Sequence, residues 1–329
     1  MSVRIQRVFV TGASGKLGVP LCTALLQAGY DVIALCHRRA VGVPGVEEVR
    51  GSVTDAALIA ELVSRSDAVL HLATCKEDRE ALIPVSVQGT FNLLEACERT
   101  GRPQRVVLAS GDAVNGIYFY PQPDPIHEAL PLTAYPGYYP LSKVLEETLF
   151  QQYYCQQGVP SVCLRMSWIH ADDDILNHLT IAGDPFGVPA WADLMSVEQR
   201  EAWGEGRDAA VALRHPDGRP MRRHIVAVED CVQAFLLALR TEGIEGQTFM
   251  IAMADAFDYE DAARYAAECL GIGVLDLVDP VGRDFCIDTT KARYILGYQP
   301  RYDIRALIDQ AVEFRRAGRQ RRRQSGYRG

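Results

Sequence analysis

The sequence predicts an α/β fold: a doubly wound parallel sheet with a smaller C-terminal α/β cap that binds substrate. Three observations carry that expectation. The apolar run Val8-Phe9-Val10 ends at Thr11 and is followed by glycines at 12, 15 and 18 that open a helical pattern. Strand-like and helix-like segments then alternate as far as Ser110, which is how parallel βαβ units read. After Ser110 the texture changes to a segment rich in Pro, Tyr and Gly, and the later pieces read as insertions beyond the main sheet.

The first unit is strand, tight turn and helix. Gly12 and Gly15 let the backbone turn and approach a ligand closely, and Gly18 lets helix pack on strand. The helix N-terminus presents unpaired N–H groups and a partial positive charge that suit a pyrophosphate. Asp31–Cys36 is the second strand and 46–51 a short third. A helix is expected over Ala56–Ser64, a fourth strand over 67–73, a helix over 87–99 and a fifth strand over 105–110. Residues 115–138 read as loop, Tyr139–Gln157 as a long helix and Ser161–Met166 as the sixth strand. Residues 171–222 look irregular, 224–240 a strand-helix unit and 247–252 a strand. Helices follow at Tyr259–Leu270 and 304–314. The implied organisation is a nucleotide-binding core over 1–166 and a cap over 167–314, with 224–252 partly returning to the core. A basic tail covers 315–329.

Composition narrows the function class. Of 329 residues, 48% are hydrophobic and 23% charged, as in ordinary globular proteins. No apolar stretch reaches the roughly 18 residues of a membrane span, and the first strand begins too early for a signal peptide. A cytoplasmic protein without membrane contact is the expectation. The nine cysteines form no CxxC pair and mostly lie in apolar patterns, so they read as small buried hydrophobes, and no structural metal is expected. Net charge is −8 although the tail holds seven arginines and no acid, so the body is more acidic still. An acidic body argues against nucleic acid as a partner.

Chemistry is expected at Tyr138-Tyr139-Pro140-Leu141-Ser142-Lys143. Tyr139 and Lys143 are four apart and share a helix face. A nearby ammonium favours phenolate over phenol, which fits the tyrosine to exchange a proton with a substrate hydroxyl or carbonyl while hydride moves to or from a nicotinamide. With only four lysines in the chain, the spacing is rarely met by chance.

Together these stretches resemble the extended short-chain dehydrogenase/reductases, of the NAD-dependent epimerase/dehydratase group. The resemblance rests on Thr11 to Gly18, His71-Leu72-Ala73, Gly89 to Ala96, Tyr139 with Lys143, Val228-Glu229-Asp230 and Lys291 to Pro300. It implies a Rossmann domain, Tyr139 as general acid/base and Lys143 holding the nicotinamide ribose. Position by position, it places the dinucleotide against Gly12, Ser14, Gly15, Lys16, Leu17, Gly18, Arg38, Ser52, Val53, Leu72, Ala73, Thr74, Tyr139, Lys143 and Met166. It also implies a homodimer packed through two helices per subunit, those near 88–99 and 139–157.

Departures from the family pattern carry the finer reading. The family's Ser or Thr after the fifth strand falls at Gly111 if its following Gly is Gly116. Ser110, Asp112 or a water is then left as the polar partner of Tyr139. Dehydratases carry an Asp equivalent to Asp112 but follow it with Glu, where this chain has Ala113. The acid that holds the NAD ribose falls at Cys36, with His37-Arg38-Arg39 after it. Without a carboxylate to repel a 2′-phosphate, and with Arg38 to attract it, NADP is favoured over NAD. On the substrate side Trp168 replaces a family Asn, while Arg223 falls where the family often has a diphosphate-binding arginine. The expected function is NAD(P)-dependent hydride transfer at a hydroxyl or carbonyl carbon of a carbohydrate-like or nucleotide-sugar substrate. The alternatives are an NADPH-dependent reductase of a small keto or lactone compound and a non-catalytic dinucleotide-binding regulator.

Overall fold

A computed structural model describes residues 5–183, 190–203 and 207–319. The first half alternates strand and helix: β1 (Arg7–Thr11), α1 (Gly18–Gln27), β2 (Asp31–Cys36), β3 (Glu47–Arg50), α2 (Ala56–Ser64), β4 (Ala68–His71), the single turn α3 (Arg79–Ala81), α4 (Gly89–Thr100), β5 (Arg105–Gly111), α5 (Tyr138–Gln157) and β6 (Ser161–Met166). The second half holds β7 (Trp168–His170), α6 (Asp174–Leu179), α7 (Trp191–Leu194), α8 (Val197–Trp203), β8 (Ala209–Arg214), β9 (Arg222–Arg223), β10 (Ile225–Ala227), α9 (Val228–Arg240), β11 (Gln247–Ile251), β12 (Phe257–Asp258), α10 (Tyr259–Leu270), β13 (Gly273–Val278) and α11 (Ile304–Arg316).

Seven parallel strands form one sheet in the order β11-β6-β5-β4-β1-β2-β3. β1, β4, β5 and β6 are apolar on both faces because helices cover both sides, and every residue of β4, β5 and β6 is buried. Strand order reverses between β1 and β4, which opens a crevice beyond their carboxyl ends. β11 joins the sheet beside β6, and α9 packs on α1. A second core gathers Ile175, Leu176, Trp191, Val211, Leu213, Ala263, Leu277 and Ile308 from α6, α7, β8, α10, β13 and α11.

Two local differences from the sequence reading have physical causes. The helix expected from 87 begins turning at Arg79 behind the Asp78 cap, and passes through a π-helical stretch, Leu82–Gln88, before α4. Pro84 lies in that stretch, has no N–H to give, and weakens the helix signal before Val87. The irregular 171–222 region contains α6, α7, α8 and β8, and β8 pairs in parallel with β13, a strand the sequence reading did not assign. Parallel partners so far apart in sequence leave no hairpin cue between them. In the basic tail, Arg315 bonds Asp173 at 2.7 Å, while residues 320–329 lie outside those described.

Buried histidines give this fold a pH dependence. His71 is fully buried, with Nδ1 at 2.8 Å from Thr11 Oγ1 and Nε2 at 3.0 Å from Thr90 Oγ1. Burial holds His71 and His170 down to about 3 and His224 to about 4. Histidines of the unfolded chain gain a proton near pH 6.5 while these stay neutral, so the unfolded state binds more protons as pH falls. Stability is therefore lost below about pH 6.5, by up to about 1.4 kcal/mol per pH unit for each histidine. Buried Asp112, pushed up to about 6, contributes a single term of opposite sign. Thermal unfolding followed from neutral pH to about pH 5 is expected to show a steady fall in Tm; a flat profile would contradict it.

Candidate active site

One cleft of about 1760 Å³ lies beyond the carboxyl ends of the sheet strands and runs from the glycine turn to the second core. At its first end the chain has no room for side chains. Gly12 has φ +65°, and a Cβ there would lie 2.6 Å from the Leu72 carbonyl carbon; a Cβ on Gly18 would lie 2.5 Å from the Ala13 oxygen. The turn closes through Gly15 N–H to Gly12 O at 3.0 Å. Thr11 Oγ1 accepts from the Leu72 and Ala73 N–H groups, both at 3.1 Å, and so fixes β4's exit against the turn. In the first turn of α1, Val19 N–H donates to Gly15 O at 3.3 Å and Leu21 N–H to Leu17 O at 3.0 Å, and it is the positive end of the helix dipole that favours an anion beside this wall. Lys16 reaches across the cleft, where Nζ donates to Ile169 O at 3.1 Å and to Asp174 Oδ2 at 2.5 Å.

Tyr139 and Lys143 lie on the first two turns of α5, facing the same cleft. The Lys143 Nζ is 5.9 Å from the centre of the Tyr139 ring, and Lys76 Nζ is closer, at 5.2 Å. Lys143 is buried and donates to Ala109 O and to Glu146 Oε2, each at 2.7 Å. Glu146 is itself fully buried and accepts from Thr74 Oγ1 at 2.8 Å. Burial lowers Lys76 to about 8, so its ammonium is only part-charged in mildly alkaline solution.

Gly111, where the sequence reading expects the family's serine or threonine, lies beside Tyr139. A Cβ at this position would stand 3.2 Å from the Tyr139 hydroxyl, tighter than ordinary contact. Ser110, expected as one possible partner of Tyr139, lines the cleft, but its hydroxyl proton goes to Glu147. Glu147 in turn holds Arg165, with Nε at 3.0 Å and Nη2 at 2.8 Å. The register of β5 against β6 turns Ser110 toward α5, where Glu147 lies. Asp112 is buried beside the cleft and accepts from Ser167 Oγ at 2.9 Å. Burial pushes its carboxyl up to about 6 against the opposing pull of Arg223.

At the far end Arg223 is enclosed by rings, its guanidinium carbon 4.7 Å from the centre of Trp168, 5.3 Å from Tyr118 and 6.0 Å from Phe285. Tyr118 adopts φ 68°, a strained conformation for a residue with a side chain, and donates its hydroxyl to Asp279. Phe119 and Tyr135 stack at 4.7 Å along the adjoining wall.

Comparison with known proteins settles the family. The model of the NAD dependent epimerase/dehydratase family matches residues 8–252. The chain belongs to that family. It is 25% identical to the dTDP-glucose 4,6-dehydratase of Streptomyces antibioticus, over 95% of this chain and 93% of that one. An L-arabinose 1-dehydrogenase (NAD(P)(+)) of Haloferax volcanii is 29% identical over 52% of this chain and 70% of its own length. Among solved structures, a short-chain dehydrogenase/reductase superfamily protein from Agrobacterium tumefaciens with bound NAD superposes with a TM-score of 0.83. Its identity is 26%, covering 95% of this chain and 98% of the other. The protein is thus an enzyme of the extended short-chain dehydrogenase/reductase type.

In this epimerase/dehydratase-family enzyme the cleft is lined by the glycine-turn set, Arg38, Ser52, Val53, Leu72, Ala73, Thr74, Ser110, Asp112, Tyr139, Lys143, Met166, Trp168 and Arg223. The close-packed glycines and the helix end beyond them fit a dinucleotide's pyrophosphate. Sequence reasoning missed Lys76, Glu146 and Asp279. Lys76 follows Ala73 by three residues, so the strand-end signal at His71-Leu72-Ala73 pointed toward it. Asp279 comes from a loop with no local signal.

Proposed function

We propose that this enzyme transfers hydride between a nicotinamide dinucleotide and a hydroxyl or carbonyl carbon of a carbohydrate-like compound, free or carried on a nucleotide. The observation that carries the reading is Tyr139 in the cleft, its hydroxyl at the space Gly111 leaves open and its ring centre 5.2 Å from Lys76 Nζ and 5.9 Å from Lys143 Nζ. The dinucleotide, when bound, supplies the hydride acceptor or donor. Gly12, Ser14, Gly15, Leu17 and Gly18 would hold its pyrophosphate, with Lys143 on a ribose, while Val53, Leu72, Ala73 and Met166 would shape the walls. Tyr139 moves the hydroxyl proton, helped by positive charge that favours its phenolate. Asp112, in the cleft and bonded to Ser167, is a second polar group positioned near the reacting end. The Streptomyces relative, named as a dehydratase of dTDP-glucose, supports carbohydrate chemistry. Comparing turnover of the parent enzyme with that of Tyr139→Phe tests the reading.

A specific observation favours NADP. Arg38 and Arg39 line the cleft past the end of β2, where Cys36 takes the place of the family's acid; the Glu48 carboxylate of β3 lies 3.7 Å from Cys36 Sγ and accepts the Gly42 N–H at 2.8 Å. A guanidinium there recognises a 2′-phosphate that an acid would repel. Arg38→Ala is expected to weaken NADPH about tenfold or more, with NADH little changed, which a charge-assisted hydrogen bond of about 1.5–3 kcal/mol would produce. Fluorescence titration with both nucleotides reads it, and an unaltered preference would count against NADP. An NADP-using enzyme that releases its changed cofactor each turnover would be a reductase or dehydrogenase, which the Haloferax relative's NAD(P)(+) designation also favours.

We also infer a homodimer. Ile83, Phe91 and Leu141 are apolar yet exposed, 59%, 41% and 42%, on the stretch leading into α4, on α4 and on α5. A second copy would cover that face; sedimentation showing a monomer would contradict it.

A further inference from the structure

We propose that Lys76 is a positioning residue for the reaction: its ammonium, more than that of Lys143, supplies the positive charge that favours the Tyr139 phenolate. This deepens the hydride-transfer reading above and rests on it. Lys143 shares a helix face with Tyr139, but its charge has a counterion of its own. Lys143 Nζ donates to Glu146 Oε2 at 2.7 Å, and the two side chains are 2% and 0% exposed. A cation and an anion that close act on a third group several ångströms away largely as an offset pair. Lys76 stands nearer, with Nζ 5.2 Å from the centre of the Tyr139 ring against 5.9 Å for Lys143 Nζ.

The chain holds Lys76 in this place from both sides. Cys75 N–H donates to Ser86 Oγ at 2.8 Å, and Glu77 Oε2 accepts the Tyr138 N–H at 2.8 Å. The neighbours of Lys76 are thus fastened to the π-helical stretch before α4 and to the start of α5, while Lys76 itself lines the cleft. The titratable groups facing its ammonium are Tyr139 and Glu146 of α5 and Cys75 of its own segment. Once Glu146 offsets Lys143, the cluster is left with one cation, Lys76, and one ionisable hydroxyl, Tyr139. With the phenolate formed the charges of these four groups cancel; with the phenol they leave one positive charge out of bulk water. Such a setting favours the compensated state. Burial also lowers Lys76 to about 8, so lysine and tyrosine lose their protons in steps that belong to the pair. The phenolate is favoured while Lys76 keeps its proton, and that advantage declines as rising pH removes it.

The near-ultraviolet absorbance of tyrosinate tests this, followed against pH in the intact enzyme without added nucleotide. Subtracting the titration of Tyr139→Phe leaves the signal of Tyr139. Lys76→Gln is expected to move its ionisation up by about one pH unit or more, a tenfold loss of phenolate at a given pH. Lys76→Arg keeps the charge and should hold the titration within about half a unit of the parent. Glu146→Gln releases the Lys143 charge from its counterion and should move it down. In Lys76→Gln kcat should fall about tenfold at neutral pH while KM for the nucleotide stays within about twofold. A folded Lys76→Gln enzyme whose Tyr139 titrates with the parent would overturn the proposal, as would a loss confined to cofactor affinity. So would Lys76→Arg shifting as far as Lys76→Gln, or Glu146→Gln leaving the titration unmoved or raised. Failure of the hydride-transfer reading is separate. It would appear as undiminished turnover in Tyr139→Phe and leave the tyrosinate titrations unaffected.

Discussion

Tyr139→Phe is expected to cost about 10²–10⁴-fold in kcat while cofactor affinity stays within about twofold, because it removes the proton-transferring atom alone. The ring remains on α5 between Lys76 and Lys143, and only the hydroxyl beside Gly111 is lost. Ser110 is not set to replace it, since its hydroxyl donates to Glu147. A water reaching the vacated position would give residual activity but would lack the ammonium groups aligned on a phenolate. Equal turnover by the variant and the parent enzyme would remove Tyr139 from the chemistry.

The largest effect on stability is expected at Glu147. Its carboxylate and Arg165 form a buried pair, 5% and 6% exposed at the side chains, in which Arg165 also donates to Glu128 O at 3.1 Å. Glu147→Ala leaves the guanidinium buried without its partner, which costs about 3–5 kcal/mol. Against a typical total of about 5–15 kcal/mol that is a large share, and Tm should fall by about 10 °C. Because the pair ties α5 to β6 and, through Ser110, to β5, catalysis should weaken as well. By contrast, Arg99, 74% exposed and paired with Glu95 on one face of α4, should contribute about 0–1 kcal/mol. A Glu147→Ala protein that melts with the parent would contradict this account of the core.

Much of the fold is legible in the sequence because its signals are local. The glycine turn, the fully apolar strands and the Tyr139–Lys143 spacing each lie within a few residues, and β1, β2, α2, β6 and α10 fall where the patterning puts them. What stays hidden depends on contacts between distant segments. β8 and β13 pair across the second half of the chain. Ser110 and Asp112 are two residues apart, yet one faces Glu147 and the other Ser167, an assignment that needs the register of β5 against β6. The Arg223 cage takes rings from three separate loops and strands, and Lys76 meets Tyr139 only when the β4 exit folds against α5. The cleft's composition was readable, but its charge balance was not.

The central claim is that the glycine turn and Tyr139 serve one nicotinamide cofactor, and it is tested most directly by titrating the purified protein with NADPH and NADH while following nicotinamide fluorescence. The account predicts saturable binding of one nucleotide per chain, tighter for NADPH, and its loss in Gly12→Val, whose Cβ would collide with the Leu72 backbone. A folded parent protein that binds neither nucleotide would contradict it.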